Sequence, residues 1–274
     1  MKGIFSTLFV LLILLAACNG KKESAVEEVV AETSTDSVTS VEEQTVEEIP
    51  PVAADGLFDD FIYSFMRSKK FQLGRIKFPL RNVVDGKDRP IQKEDWIFDE
   101  LYAKQDVYTM LFDNDKAISN EKDSAVHKVT VEWVYLVKGR VKQYQFLKEN
   151  GLWCLVSLDE HSLENNPNND FFSFYREFSS SEGFQMSHIE NPFSFKTYDS
   201  DTFQEIDGLL DVAQWPDFKP EMPSEVITNI NYAQRYPKNG RRVLVIASPS
   251  AGMSCTLSFE KKKGEWILVG METI

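Results

Sequence analysis

The chain has 274 residues, 42% of them hydrophobic and 20 of them Phe, and its formal net charge is −13. This length accommodates one large domain or two ordinary ones, and the composition predicts a core rich in aromatic rings. The acidic balance argues against nucleic acid as a partner, because phosphate contacts need Lys and Arg on the binding face. It also argues against electrostatic attachment to anionic lipid.

Residues 1–17 have the pattern of a secretory signal peptide. Lys2 provides a positive charge, and an apolar stretch from Ile4 to Leu15 follows it. Crossing a bilayer takes about 20 apolar residues, so this stretch is too short to span one. It ends in Leu15-Ala16-Ala17-Cys18, which resembles the lipobox of bacterial lipoproteins. The resemblance implies cleavage before Cys18, diacylglycerol on its sulfur, and an acyl chain such as palmitate on the new amine.

Several acyl chains would hold the protein on a membrane durably, since each buried methylene contributes about 0.8 kcal/mol. Asn19 follows the cysteine, whereas lipoproteins retained at the inner membrane often have Asp at this position. The resemblance therefore implies the bacterial outer membrane, on its periplasmic face or at the cell surface. The alternative is an ordinary secretory signal that happens to contain a cysteine.

Residues 18–56 are predicted to form the lipidated cysteine and a disordered acidic tether. Residues 19–56 contain ten acidic residues against Lys21 and Lys22, and they contain no aromatic residue. Such a composition buries too little apolar surface to offset the entropy of ordering the chain. A flexible coil of this length spans roughly 35 Å. An acidic docking motif is the alternative interpretation.

The rest of the chain contains two blocks that match when the sequence is shifted by 113 residues. Because both blocks share one offset and consist of aromatic residues and Gly, we interpret them as an internal duplication, with units at 57–160 and 161–274. The first block pairs Phe58, Phe61, Phe65, Ser68, Phe71, Gln72, Ile76 and Pro79 with Phe171, Phe174, Phe178, Ser181, Phe184, Gln185, Ile189 and Pro192. The second pairs Phe146, Lys148, Gly151, Trp153, Leu155 and Val156 with Phe259, Lys261, Gly264, Trp266, Leu268 and Val269.

In each unit the pattern predicts helices followed by a strand meander. Phe residues three and four apart in 58–65 and 171–178 predict helices with one ring-lined face. A further helix is predicted at 93–104, with a poorer counterpart at 203–212. Strands are predicted at 107–112, 129–137, 140–148 and 152–158 in the first unit, and at 226–233, 242–247, 253–260 and 265–271 in the second.

This element order predicts an α+β fold of two tandem cone-like units, each with N-terminal helices packed on a curved antiparallel sheet. The order and length resemble the cone-shaped superfamily of nuclear transport factor two and scytalone dehydratase. The whole chain resembles a family of Bacteroidetes lipoproteins of unknown function that are assigned to this fold class. Since the function of that family is unknown, the resemblance carries over no catalytic residue.

The sequence contains no recognisable metal or phosphate site. His127, His161 and His188 are far apart, and none has a second His or Cys at ligand spacing. The segment 113–124 begins like a calcium loop but lacks the required Gly and the final Glu. The acidic pair in 199–201 is interpreted as a solvated turn. We therefore predict no cofactor and no metal.

Cys154 and Cys255 lie in apolar strands and are interpreted as buried thiols, although an oxidising compartment would allow them to pair. Asp95, Asp99 and Tyr102 fall on the predicted helix at 93–104, where exposure to solvent explains them.

The favoured hypothesis is a non-enzymatic, membrane-anchored envelope lipoprotein that binds a protein partner or small ligand. The alternative is a cone-fold hydrolase or isomerase with an unrecognised pocket. A purely structural spacer is the third reading. A pocket with convergent Asp and His would favour the enzyme, and a cone filled by Phe would favour the binding protein.

Overall fold

The computed structural model describes residues 55–199, 201–202, 204–236, 240–248 and 254–274. The predicted signal peptide, Cys18 and nearly all of the predicted tether lie outside these residues. None of the helices in the described part of the chain is long and apolar enough to cross a membrane.

Helices and strands alternate in two similar series along the described chain. The helices are α1 (Phe58–Arg67), α2 (Lys69–Gly74), α3 (Asn169–Ser180), α4 (Glu182–Ser187) and α5 (Trp215–Phe218). The strands are β1 (Ile76–Val84), β2 (Lys87–Asp88), β3 (Tyr108–Phe112), β4 (Lys128–Tyr135), β5 (Arg140–Glu149), β6 (Leu152–Ser162), β7 (Ile189–Tyr198), β8 (Glu205–Leu210), β9 (Val226–Asn231), β10 (Arg241–Ala247), β11 (Ser254–Lys262) and β12 (Glu265–Thr273). Short 3₁₀ helices occupy Asp115–Lys122, Leu163–Asn165 and Val212–Gln214.

The strands form two six-stranded sheets, ordered β2-β1-β6-β5-β4-β9 and β3-β10-β11-β12-β7-β8. The predicted α+β class, with helices packed on two curved sheets, is confirmed. Most strand pairs are antiparallel, as predicted, while β1 pairs with β6, and β7 with β12, in parallel. The register shifts between Gln145 and Phe146 in β5, and between Ser258 and Phe259 in β11. Such bulges bend a strand and increase its twist, which curves the sheet.

The two sheets exchange one strand with each other. Strand β3 comes from the first predicted unit but pairs with β10, and β9 comes from the second but pairs with β4. The two exchanged strands meet where the Thr109 amide donates to Thr228 Oγ1 at 2.8 Å. The Leu111 amide donates to Asn229 Oδ1 at 2.9 Å. Each sheet is therefore completed by a strand from the other stretch of sequence.

The ring-lined helices pack as the sequence predicts. The Phe58 ring lies 5.3 Å from Phe146 and 5.1 Å from Trp153, between ring centroids. The Phe171 ring lies 5.3 Å from both Phe259 and Trp266. Trp153 and Trp266 are only 1% and 5% exposed. The same cluster of rings thus forms twice, once in each core.

The predicted helices at 93–104 and 203–212 are wrong. The first stretch consists of turns and extended chain, and the second contains strand β8. A buried glutamine fixes the first stretch, because Gln72 Nε2 donates to the Asp99 carbonyl at 2.8 Å and Gln72 Oε1 accepts from Trp96 Nε1 at 2.8 Å. Tertiary hydrogen bonds here outweigh local helix propensity.

Candidate ligand pocket

A cavity of ≈ 190 Å³ opens between α1, the turn at 101–103 and the exchanged strands β3 and β9. Its wall therefore combines residues from both predicted units. Most of the lining is apolar or aromatic, with carboxylate, guanidinium and hydroxyl groups added to it. The lining residues are Asp59, Ile62, Tyr63, Met66, Arg67, Tyr102, Ala103, Tyr108, Met110, Ile230 and Tyr232.

The polar end of the cavity is built on Asp59, an exposed residue in the first turn of α1. The hydroxyl of Tyr232, from just beyond β9, donates to Asp59 Oδ1 at 2.6 Å. Partial burial raises the pKa of the Asp59 carboxyl, although the Tyr232 hydrogen bond opposes the rise and nearby Asp60 adds to it. Asp59 forms no ion pair with any residue that the structure describes. The carboxylate is therefore a negative group without a cationic partner in the described fold.

Three tyrosines form the aromatic wall. Tyr102 and Tyr232 are buried, and Tyr108 is half-buried. The rings of Tyr102 and Tyr108 stack with centroids 5.3 Å apart. Burial, followed by repulsion from Asp59, raises the pKa of all three phenols. All three therefore stay neutral hydroxyls at ordinary pH.

One further charged group lines the cavity, and another lies near Asp59 outside the lining. Arg67 stacks on the Tyr63 ring at 3.9 Å and donates to its hydroxyl. Glu121, in the 3₁₀ helix after β3, has a pKa raised by burial and then by the charge of Asp59. The Arg67 guanidinium is thus held against Tyr63, and the Asp59 carboxylate lies beside Tyr232.

In α3, the positions that correspond to Asp59 and Ile62 in the cavity lining hold large buried rings. The residue 113 positions after Asp59 is Phe172, and the one 113 positions after Ile62 is Tyr175. Both are 0% exposed. The Phe171 and Tyr175 rings stack 6.3 Å apart and occupy this space. Large rings therefore fill the second core where the first has a carboxylate and an opening.

A second, more open recess of ≈ 460 Å³ lies over the turns at 91–104. Lys142 Nζ lies 3.6 Å from Asp99 Oδ2, and the Tyr144 hydroxyl donates to the same carboxylate oxygen. The interpretation of Asp99 and Tyr102 as solvated helix positions is therefore wrong, while Asp95 is exposed. Asp99 already has a cation and a hydroxyl as partners, so this recess is the weaker candidate.

The histidines and cysteines do not converge on either recess. His161 Nδ1 contacts Asp159 Oδ1 at 2.5 Å, and the His188 ring stacks on Phe184 at 3.8 Å. Within the described residues no group of three His, Cys, Asp or Glu is placed to hold a metal ion. Cys154 and Cys255 are buried free thiols. Burial raises the pKa of Cys255 to about 12, which keeps it an unreactive thiol.

A buried polar cluster that the sequence did not reveal links three strands of the first sheet to the segment between β6 and α3. Glu132 on β4 accepts hydrogen bonds from Gln143 at 2.7 Å, Asn166 at 3.2 Å and Asn229 at 2.6 Å. Asn166 lies in the connector between the predicted units, and Asn229 lies on the exchanged strand β9. A carboxylate with three amide partners is satisfied, so we interpret this cluster as structural.

Comparison with known proteins places this fold. A family model described as "Domain of unknown function (DUF4348)" matches residues 37–273. The chain belongs to this family. A solved NTF2-like protein from Bacteroides fragilis is 35% identical to this DUF4348 chain, with a TM-score of 0.76, and the match covers 81% of this chain and 98% of that one. The expected nuclear-transport-factor-two-like fold is thereby confirmed.

A second solved structure, an NTF2-like protein of unknown function from Shewanella baltica, is 12% identical to the DUF4348 chain. The match covers 38% of this chain and 87% of that one, with a TM-score of 0.24, which is too low to support a structural argument. Comparison with curated proteins gives no match.

Proposed function

We propose that this protein is a non-enzymatic, lipid-anchored envelope protein whose folded part binds a small ligand in the cavity under α1. The observation that carries the proposal is the contrast between the two cores. One keeps an opening lined by Asp59 and three tyrosines, and the other is filled by Phe172 and Tyr175. An opening lined by apolar walls and a few polar groups is the usual form of a ligand site.

The proposed anchor is lipid on Cys18, followed by a disordered tether to residue 56, at the outer membrane. It rests on the resemblance of residues 15–18 to a lipobox and on the acidic composition that follows. Replacing Cys18 by Ser should release the protein from membranes and abolish labelling by palmitate. Cys154→Ser, which alters a buried thiol, should leave both properties unchanged. Membrane association and labelling that persist in Cys18→Ser would refute the anchor.

We also propose that the two units arose by tandem duplication. Its support is the set of contacts that recur 113 residues apart, from the Phe–Trp clusters to the strand bulges. The buried glutamines agree as well, since Gln72 accepts from Trp96 Nε1 at 2.8 Å and Gln185 from Trp215 Nε1 at 2.9 Å. Trp96 and Trp215 are 119 residues apart, six more than the offset of 113. The second unit is therefore six residues longer between its glutamine and its Trp.

A binding role fits the cavity better than catalysis. No His lies in its lining, so the residues that surround it offer a carboxylate and neutral phenols as the groups for proton transfer. The alternative remains a hydrolase or isomerase that uses Asp59 as a base. Its test is turnover: a ligand found in the cavity would be recovered chemically changed after incubation with the protein.

The binding proposal is tested by blocking the cavity. Ala103 lines it and is half-buried, so Ala103→Phe should fill the space. The control is Ala125→Phe, at an exposed loop position outside the lining. Full-length proteins would be purified from bacterial envelopes, and small molecules released on denaturation measured by mass spectrometry. A species retained by wild type and the control but lost from Ala103→Phe supports the proposal. Equal retention by all three refutes it.

A further inference from the structure

We infer that the cavity under α1 selects a small organic cation, such as an alkylated ammonium group, held between the Asp59 carboxylate and the rings of Tyr102, Tyr108 and Tyr232. This inference rests on the proposed ligand-binding function of the same cavity and specifies the chemistry of its ligand.

The first argument is the combination of groups that line the cavity. Aromatic faces attract cations through the negative potential of their π electrons, and several rings around one site form an aromatic cage. Here the stacked pair of Tyr102 and Tyr108 and the single ring of Tyr232 line one opening. The Asp59 carboxylate lies at the same opening, 2.6 Å from the Tyr232 hydroxyl. A cation would contact both kinds of group.

The second argument is the imbalance of charge. Asp59 is the carboxylate in the lining and forms no ion pair with a described residue, while Asp60 and Glu121 lie near it but outside the lining. Arg67, the cation in the lining, instead stacks on Tyr63 and donates to its hydroxyl. The rise in the pKa of Asp59 and Glu121 reflects the cost of holding these charges in a partly dry site. The attraction of a bound cation would offset that cost, whereas a bound anion would add repulsion to it.

The third argument is size. A cavity of about 150 Å³ accommodates benzene, so the space of ≈ 190 Å³ under α1 suits a compact group such as trimethylammonium. The buried side chains of Ile62, Met66, Met110 and Ile230 would contact the methyl groups. The opening leaves room for the remainder of a larger ligand to extend outward.

The test uses three probes of the same shape and different charge: choline, the neutral 3,3-dimethylbutan-1-ol and the anionic 3,3-dimethylbutanoate. Dissociation constants would be measured by NMR titration of the full chain. Choline should bind at least about tenfold more tightly than the neutral probe, a difference typical of a cation in an aromatic and acidic site. Its N-methyl protons should shift upfield, because the surrounding rings shield them.

Two isosteric variants locate the charge that is responsible. Asp59→Asn keeps an acceptor for the Tyr232 hydroxyl but removes the charge, and it should abolish the preference for choline over the neutral probe. Asp60→Asn removes a neighbouring exposed charge outside the lining, and it should keep the preference. Thermal melting of both variants checks that they fold. Should Asp59→Asn fail to fold, the upfield shift of choline in wild type still tests the contact with the rings.

The outcomes separate the inference from the proposed function. If the neutral probe binds wild type as tightly as choline, the cavity binds ligands but not by charge, and this inference alone is overturned. Tighter binding of the anionic probe overturns it as well. If no probe binds, and Ala103→Phe retains the same small molecules as wild type, the inference and the proposed function both fail.

Discussion

The two cores of this protein have different side chains at corresponding positions of their Phe-lined helices. Around α1 the helix presents Asp59, and a cavity remains; around α3 it presents Phe172, and rings fill the space. The scaffold is otherwise closely matched, with a Phe helix, a buried Gln and a buried Trp in both. The proposed ligand site therefore lies in the core whose helix has the carboxylate, and the other core offers a comparison in which a buried ring takes its place.

The largest expected effect tests what the two cores share. Trp153→Ala and Trp266→Ala should each lower the free energy of unfolding by about 3–5 kcal/mol, because each removes a buried ring and leaves a cavity. Chemical denaturation of the full chain would measure this. Trp133→Ala, at a half-buried position on β4, should cost less. If either substitution lowers the free energy of unfolding by less than about 1 kcal/mol, the two Trp residues do not have equivalent roles in the two cores.

A smaller effect is expected at the buried glutamines. Gln72→Leu and Gln185→Leu should each cost about 1–3 kcal/mol, since each leaves the indole N–H of its Trp partner without an acceptor. Gln72→Leu should cost more, because Gln72 also holds the backbone of Asp99 through two hydrogen bonds. The free energy of unfolding would be measured by chemical denaturation. If one substitution leaves it unchanged and the other lowers it strongly, the two glutamines do not have equivalent roles.

Asp59→Phe would convert the first core towards the second. It leaves the hydroxyl of buried Tyr232 without its acceptor, which costs about 1–3 kcal/mol, and the gained apolar burial offsets part of that cost. Binding of small molecules should be lost. Calorimetry and mass spectrometry of the full chain would measure the two quantities. A variant that folds normally and retains the ligand would contradict the assignment of the site.

The smallest effect is a dependence on pH. The folded pKa of Asp59 is raised, so its contribution to stability is greatest below the unfolded pKa near 3.8 and is lost as pH rises through the folded value. Binding of choline should follow the opposite course and strengthen as Asp59 ionises, with Asp60 and Glu121 as the other carboxylates near it. Choline affinity would be measured at several pH values across the ionisation of Asp59. It should rise with pH in wild type, and Asp59→Asn should lack this rise.

The sequence predicted the Phe-lined helices and the hairpin-linked strands β4–β6 and β10–β12, but not the strand pairings between the two predicted units. The spacing of Phe58, Phe61 and Phe65 identifies α1 because a 3.6-residue repeat is a local property. The partner of β3 is not local: the strand pairs with β10, more than a hundred residues later, instead of with its own unit. The alternation of apolar residues fixes which face of a strand is buried, and it contains no information about which sheet the strand joins.

The cavity was missed for the same reason. Asp59 and Tyr232 are 173 residues apart, and their contact depends on the strand exchange. One sequence signal was available: at the offset of 113, Asp59 stands opposite Phe172 in otherwise similar helices. A charged residue on one helix, where its counterpart has a buried ring, marks the position at which the two cores differ.

The most direct measurement is a crystal structure of the full chain grown with choline. The account predicts difference density for choline between α1 and β9, with its ammonium group against Asp59 and the three tyrosines, and no density beside Phe172. Density for choline at another place, or an empty cavity under α1 at saturating choline, would contradict it.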